Sequence, residues 1–95
     1  MTGERVAVRA VIRGDVQGVW FRAWTIVTAT ALGLDGWVRN RRDGAVEALF
    51  AGVPDAVERM LAACRTGPPR ARVTDVERHP AESEAATGFR QLPTA

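Results

Sequence analysis

Hydrophobic and polar positions alternate from Arg5 to Arg13. Val6, Val8, Ala10 and Ile12 fall on one side of a pleat, and Arg5, Ala7, Arg9, Val11 and Arg13 on the other. A period of two predicts a strand with one buried face. The alternation stops at GDVQGVWF, residues 14–21. From Arg22 to Leu32 the run is mostly apolar, but Thr25, Ile26, Val27, Thr28 and Thr30 are poor helix formers. A buried strand would look similar; the length and Gly33, suited to a C-cap, favour a helix. Gly36 to Asn40 is a short strand, Asp43-Gly44 a hairpin turn, and Ala45 to Ala51 the returning strand. Pro54 and Asp55 suit the first turn of a second helix. Val57, Met60, Leu61 and Cys64 recur at helical spacing along its apolar stripe. Gly67-Pro68-Pro69 ends it. Arg72 to Arg78 is a fourth strand. Thr87 to Leu92 adds a short fifth after a Glu- and Ala-rich connection.

The order β-α-β-β-α-β predicts an α+β, ferredoxin-like sandwich, an antiparallel sheet with two helices on one face. In that topology strands one and two run parallel with strand three between them. Their C-terminal ends therefore share one edge of the sheet. The 14–20 loop leaves strand one at that edge, and Asn40 ends strand two there. Two inter-strand spacings come to about 10 Å, so one small ligand can touch both. Ninety-five residues make a single domain, 1–95.

Composition narrows the chemistry. Cys64 and His79 are the sole cysteine and the sole histidine. No intrachain disulfide can form, and a metal site built on several of these residues is excluded. All 13 basic residues are Arg, and the net charge is +2. Codon bias in a GC-rich genome is the plain reading of the arginines; the alternative, selection for planar, bidentate phosphate binders, applies to individual arginines but hardly to all of them. So small a charge is no nucleic-acid footprint on its own. The start, MTGERVAVRA, lacks the apolar run of a signal peptide, and no stretch of about 18 apolar residues could span a membrane. A cytoplasmic protein is expected.

The loop GDVQGVWFR contains no Ser, Cys, His, Lys or Glu. It can still bind an anion. Gly14 and Gly18 permit backbone conformations that turn successive amides inward into a nest. The following helix N-terminus adds free N–H groups and partial positive charge. Arg22, in its first turn, can span two phosphate oxygens. A plain turn explains the glycines equally well, and the loop is not a Walker loop, because no Gly-Lys-Ser/Thr follows.

Gly14-x-Val16-Gln17-Gly18-Val19-x-Phe21-Arg22, then Ala29-x-x-Leu32-Gly33-Leu34-x-Gly36-Trp37-Val38-Arg39-Asn40 and Asp43-Gly44-x-Val46-Glu47, resemble the acylphosphatase family. Gly67-Pro68-Pro69 and Val73 resemble its segment after the second helix. The likeness runs from Val6 to about Val76. It implies hydrolysis of a carboxyl–phosphate mixed anhydride to a carboxylate and inorganic phosphate. It further implies that Arg22 binds the phosphate, Asn40 orients the attacking water, and the backbone of Asp15, Val16, Gln17, Gly18, Val19, Trp20 and Phe21 cradles the phosphoryl group. No metal or cofactor is implied. An acyl phosphate is already activated, so positioning and electrostatics suffice and no protein nucleophile is needed.

Other readings stand beside these. Arg22 could be a surface residue, although the helix dipole disfavours a cation there. Asn40 on its own is an ordinary turn residue. Phe21 and Trp37 are expected as core anchors, Cys64 as core packing, and His79 without a role. Gln17 either holds the loop through its amide or is an exposed polar residue.

Asp15 stands where the family often has a basic or neutral residue, and weakens affinity unless its carboxylate turns outward. Trp20 stands where the family often has a small one. Packing against Trp24, one turn on, is its expected role; covering the pocket or meeting an aromatic acyl group is the alternative. A monomer is expected, with Ile26, Val27 and Ala31 as an apolar strip that could associate. The competing functions are an anion- or nucleic-acid-binding module of the same fold and a regulatory small-molecule module. Single-strand RNA readers carry aromatics on the central strands. Strand one has none, and strand three only Phe50.

Overall fold

The computed structural model describes residues 4–82 and 86–95. Its elements are β1 (Val6–Asp15), α1 (Phe21–Ala31), β2 (Asp35–Asn40), β3 (Val46–Gly52), α2 (Pro54–Cys64), β4 (Arg72–Ala81) and β5 (Phe89–Gln91). The sheet order is β4-β1-β3-β2-β5. β3 lies between β1 and β2 and is antiparallel to both, so the two strands that feed the shared edge run parallel, as expected. The sheet is not wholly antiparallel. β5 joins β2 in parallel, which makes the sheet mixed. Part of the connection before β5 lies outside the described residues.

One core holds the layers together. Ile12, Val38, Val46, Ala48 and Phe50 from the sheet meet Phe21 and Ala29 from α1 and Val57, Met60, Leu61 and Cys64 from α2. Full burial of each large side chain contributes about 1.5–3 kcal/mol. Cys64 is packing, as its place on the stripe predicted, and burial pushes its thiol pKa up to about 12.

α1 forms despite its threonines. Thr25 is fully buried, and its hydroxyl donates to the Phe21 carbonyl at 2.8 Å, so that hydroxyl is paired within the core. The helix ends as Gly33 suggested. The Gly33 N–H reaches the Thr30 carbonyl and the Leu34 N–H reaches the Ala29 carbonyl, which is a Schellman closure. The expected apolar strip shrinks to Val27 and Ala31, because Ile26 packs against the core.

The second face of β1 is also covered. Val11 is buried beneath ion pairs. The nearly buried Glu47 carboxylate accepts from Arg9 at 3.0 Å and Arg39 at 2.8 Å. The Arg39 guanidinium lies 4.7 Å from the Trp37 ring centroid. Trp37 is therefore a half-exposed residue of this outer face, and not the core anchor expected of it. Among the described residues no helix is long and apolar enough to cross a membrane.

β1 runs two residues further than its alternation implied. A register shift between Arg13 and Gly14 carries it to Asp15, which pairs with Arg72 of β4. Gly14 sits at φ 127, with the Arg72 carbonyl pressed against the space a side chain would need. Only glycine fits there.

Candidate active site

The segment from Val16 to Trp20 joins the end of β1 to the start of α1 beside the end of β2. A cavity of about 370 Å³ opens there. It is lined by Val16, Gly18, Trp20, Phe21, Arg22, Ala23, Asn40 and Gln91. Val16 and Phe21 are buried and form its floor, while Gly18, Trp20, Ala23 and Gln91 are exposed and form its rim. Arg22 and Asn40, chosen from sequence on different elements, face the same space.

The backbone of this segment turns left-handed twice. Gly18 adopts φ 75 and Trp20 adopts φ 67. α1 has no side-chain N-cap and no acidic residue in its first turn. Among the described residues, no backbone or side-chain acceptor takes the N–H groups of Gly18 to Ala23. Unpaired helix N-terminal amides carry partial positive charge and seek an anion. Arg22 is half-buried and has no ion pair among the described residues. A cation with no carboxylate partner, placed where the helix dipole opposes it, fits a site whose counter-charge arrives with a ligand.

Alternate residues of the segment do different work. Val16, Gly18 and Trp20 line the cavity, whereas Asp15, Gln17 and Val19 do not. Val19 packs on the core. Asp15 is exposed at the end of β1 and is not part of the cavity lining. Gln17 reaches the β2–β3 hairpin. Its Nε2 donates to the carbonyls of Arg41 at 2.7 Å and Ala45 at 2.9 Å. Both donors of one amide thus tie the loop to the turn beyond Asn40. That turn is closed by Asp43, whose Oδ1 accepts from the Ala45 N–H and whose Oδ2 accepts from Arg41.

The expected packing of Trp20 against Trp24 does not occur. Trp20 is 77% exposed at the cavity rim. Trp24 instead meets Phe21 edge-on, with ring centroids 5.3 Å apart. A left-handed backbone at Trp20 redirects its side chain, and a helical i, i+4 argument does not apply to a residue outside the helix.

Gln91 was missed by the sequence reading. It reaches the cavity only because β5 pairs in parallel with β2, opposite Val38, and no local pattern announces that pairing. Past β5 the chain keeps following β2. The Leu92 N–H donates to the Val38 carbonyl, and the Ala95 N–H donates to the Asn40 carbonyl at 3.0 Å. The backbone of Asn40 is thus fixed between β3 and this segment. Its side-chain amide has no protein hydrogen bond among the described residues. Among those residues no cluster of three His, Cys, Asp or Glu could hold a metal ion.

A family model for acylphosphatase matches residues 8–91, which include every cavity-lining residue. The chain is similar to an acylphosphatase of Rhodospirillum rubrum, with 59% identity over 83 residues, covering 87% of this chain and 91% of that one. It is similar to an acylphosphatase of Rhizorhabdus wittichii, with 54% identity over 91 residues, covering 96% and 92%. Among solved structures, an acylphosphatase from Coxiella burnetii superposes with a TM-score of 0.89 at 32% identity, covering 93% of each chain. The matched span contains the loop, Arg22 and Asn40 together, and on this agreement the chain belongs to the acylphosphatase family.

Proposed function

We propose that Arg22 and the amides of the 15–21 loop hold the phosphoryl group of the substrate while Asn40 directs the attacking water. The reaction is acyl phosphate hydrolysis, the activity of the family. One observation supports the assignment of roles above the others. The unpaired amides at the start of α1, the unpaired guanidinium of Arg22 and the unpaired amide of Asn40 open onto one cavity.

In the proposed mechanism the phosphoryl oxygens take the N–H groups of the loop and helix start, and Arg22 spans two of them. Asn40 hydrogen-bonds a water on the side of phosphorus opposite the acyl oxygen. A new water oxygen–phosphorus bond forms as the phosphorus–acyl oxygen bond breaks, and a carboxylate leaves. Arg22 is the one ionisable side chain in the lining, and a guanidinium has no lone pair with which to accept a proton. The proton of the water therefore passes to a phosphoryl oxygen of the substrate. The donors are in place before the reaction and lose no reorganisation energy at the transition state.

Residues 1–95 act as one such domain, as a cytoplasmic monomer without metal or nucleic acid. In support, Arg9 and Arg39 on the outer sheet face are engaged by Glu47, and Arg13 by Glu77. Arg22→Lys tests the phosphate site. An ammonium cannot reproduce the planar fork, so the inhibition constant for inorganic phosphate should rise at least about tenfold, the scale of one lost charge-assisted pair. An unchanged inhibition constant would remove Arg22 from the site.

A further inference from the structure

Trp20 is costly by every structural measure available at its position. Its backbone is left-handed at φ 67, ψ 22, a conformation that large L-residues rarely adopt. Gly, Asn or Asp would occupy it with less strain and could also cap the helix. The ring does not recover this cost by packing, because it is 77% exposed. Neither the fold nor the cap therefore accounts for an indole here. Strain of this kind, kept beside a cavity, points to a role in that cavity.

The graded burial of the lining indicates which part of a ligand Trp20 meets. The loop amides and Arg22 take the phosphoryl group. The acyl group then extends toward the rim, where the exposed lining residues are Gly18, Trp20, Ala23 and Gln91. Gly18 and Ala23 offer almost no surface, and Gln91 offers an amide. The indole supplies most of the flat apolar surface there. We propose that Trp20 selects the acyl group by stacking on it, so that the enzyme favours acyl phosphates with flat, aromatic acyl groups over those with small aliphatic ones. This rests on the acyl phosphate reading of the same site.

The test compares kcat/KM for benzoyl phosphate and for acetyl phosphate in the wild type, Trp20→Ala and Trp20→Phe. Both substrates carry the same phosphate, so any effect of the substitution on the loop backbone cancels in the ratio. The benzoyl-to-acetyl ratio should fall about 3–10-fold in Trp20→Ala, the scale of one aromatic contact. Trp20→Phe should keep most of it. A ratio unchanged in Trp20→Ala, or lowered equally by Trp20→Phe, overturns the role of Trp20 while leaving acyl phosphate hydrolysis intact. A folded wild type that turns over neither compound overturns both.

Discussion

At the scale of single residues, the site depends on groups that lack partners and on one that has two. Among the described residues Arg22 and Asn40 keep free polar groups at the cavity, and α1 has no acidic residue in its first turn to engage Arg22. Gln17 does the reverse. Its amide spends both donors on the Arg41 and Ala45 carbonyls and so fixes the spacing between the loop and the end of β2. Gln17→Glu replaces those donors with a carboxylate that faces two carbonyl oxygens. A loss of about 1–2 kcal/mol is expected from two neutral hydrogen bonds, or roughly 5–15 °C in Tm for a domain of this size. Phosphate affinity should weaken with it, because the loop loses its tether. Thermal unfolding with and without phosphate checks this, and an unchanged melting curve would show that the tether is dispensable. Sequence brought Arg22 and Asn40 to one edge of the sheet, where they line one cavity, and offered the tether as one of two readings of Gln17. It did not make Trp20 legible. Side-chain direction there follows from a positive φ at a non-glycine residue, which no periodicity encodes.

At the scale of elements, the strand–loop–helix unit is shaped by two glycines with different jobs. Gly14 lies where a Cβ would strike the Arg72 carbonyl and come within 2.9 Å of the Thr74 nitrogen. Gly18 has open space around it and only its φ of 75 to protect. Gly14→Ala should therefore cost roughly 2–5 kcal/mol, from strain plus overpacking. Gly18→Ala should cost about 1–2 kcal/mol, from strain alone. Urea midpoints separate the two, and equal losses would contradict the close approach of β1 and β4. Element types and order were readable from the alternation, the Asp43-Gly44 turn and the α2 stripe. The double burial of β1 was not, because Glu47 of β3 and Arg39 of β2 join Arg9 of β1 over the outer face. The parallel seat of β5 was not either, because three residues carry too little pattern to fix a direction.

At the scale of the whole molecule, the surface carboxylates set the acid limit of stability. Asp35 has a lowered pKa, first from the Gly88 N–H and then from Arg5. The Ala45 N–H does the same for Asp43, Arg78 for Glu58 and Arg13 for Glu77. A carboxylate depressed in the folded state stabilises the fold above its unfolded pKa of about 4. That contribution is lost as pH falls through the lower folded values. Tm should therefore stay nearly level from about pH 7 to 5 and decline below about pH 4. Added salt should blunt the decline, because these pairs are exposed. A Tm that held steady down to pH 2 would contradict the pairing. The same scale explains why so small a chain can catalyse at all. The topology brings two strand ends and a helix start together at one edge of the sheet. In the proposed mechanism the chemistry then needs only donors held in position, each a backbone amide, an Arg or an Asn.

The measurement that bears most directly on this account is benzoyl phosphate hydrolysis by the purified protein in EDTA, followed by ultraviolet absorbance beside Asn40→Ala. Rapid turnover by the wild type is expected, with kcat in the variant lower by roughly 10²–10³-fold, the scale for one lost pre-organised group. A folded wild type without turnover above the buffer rate, or an Asn40→Ala variant as fast as the wild type, would contradict it.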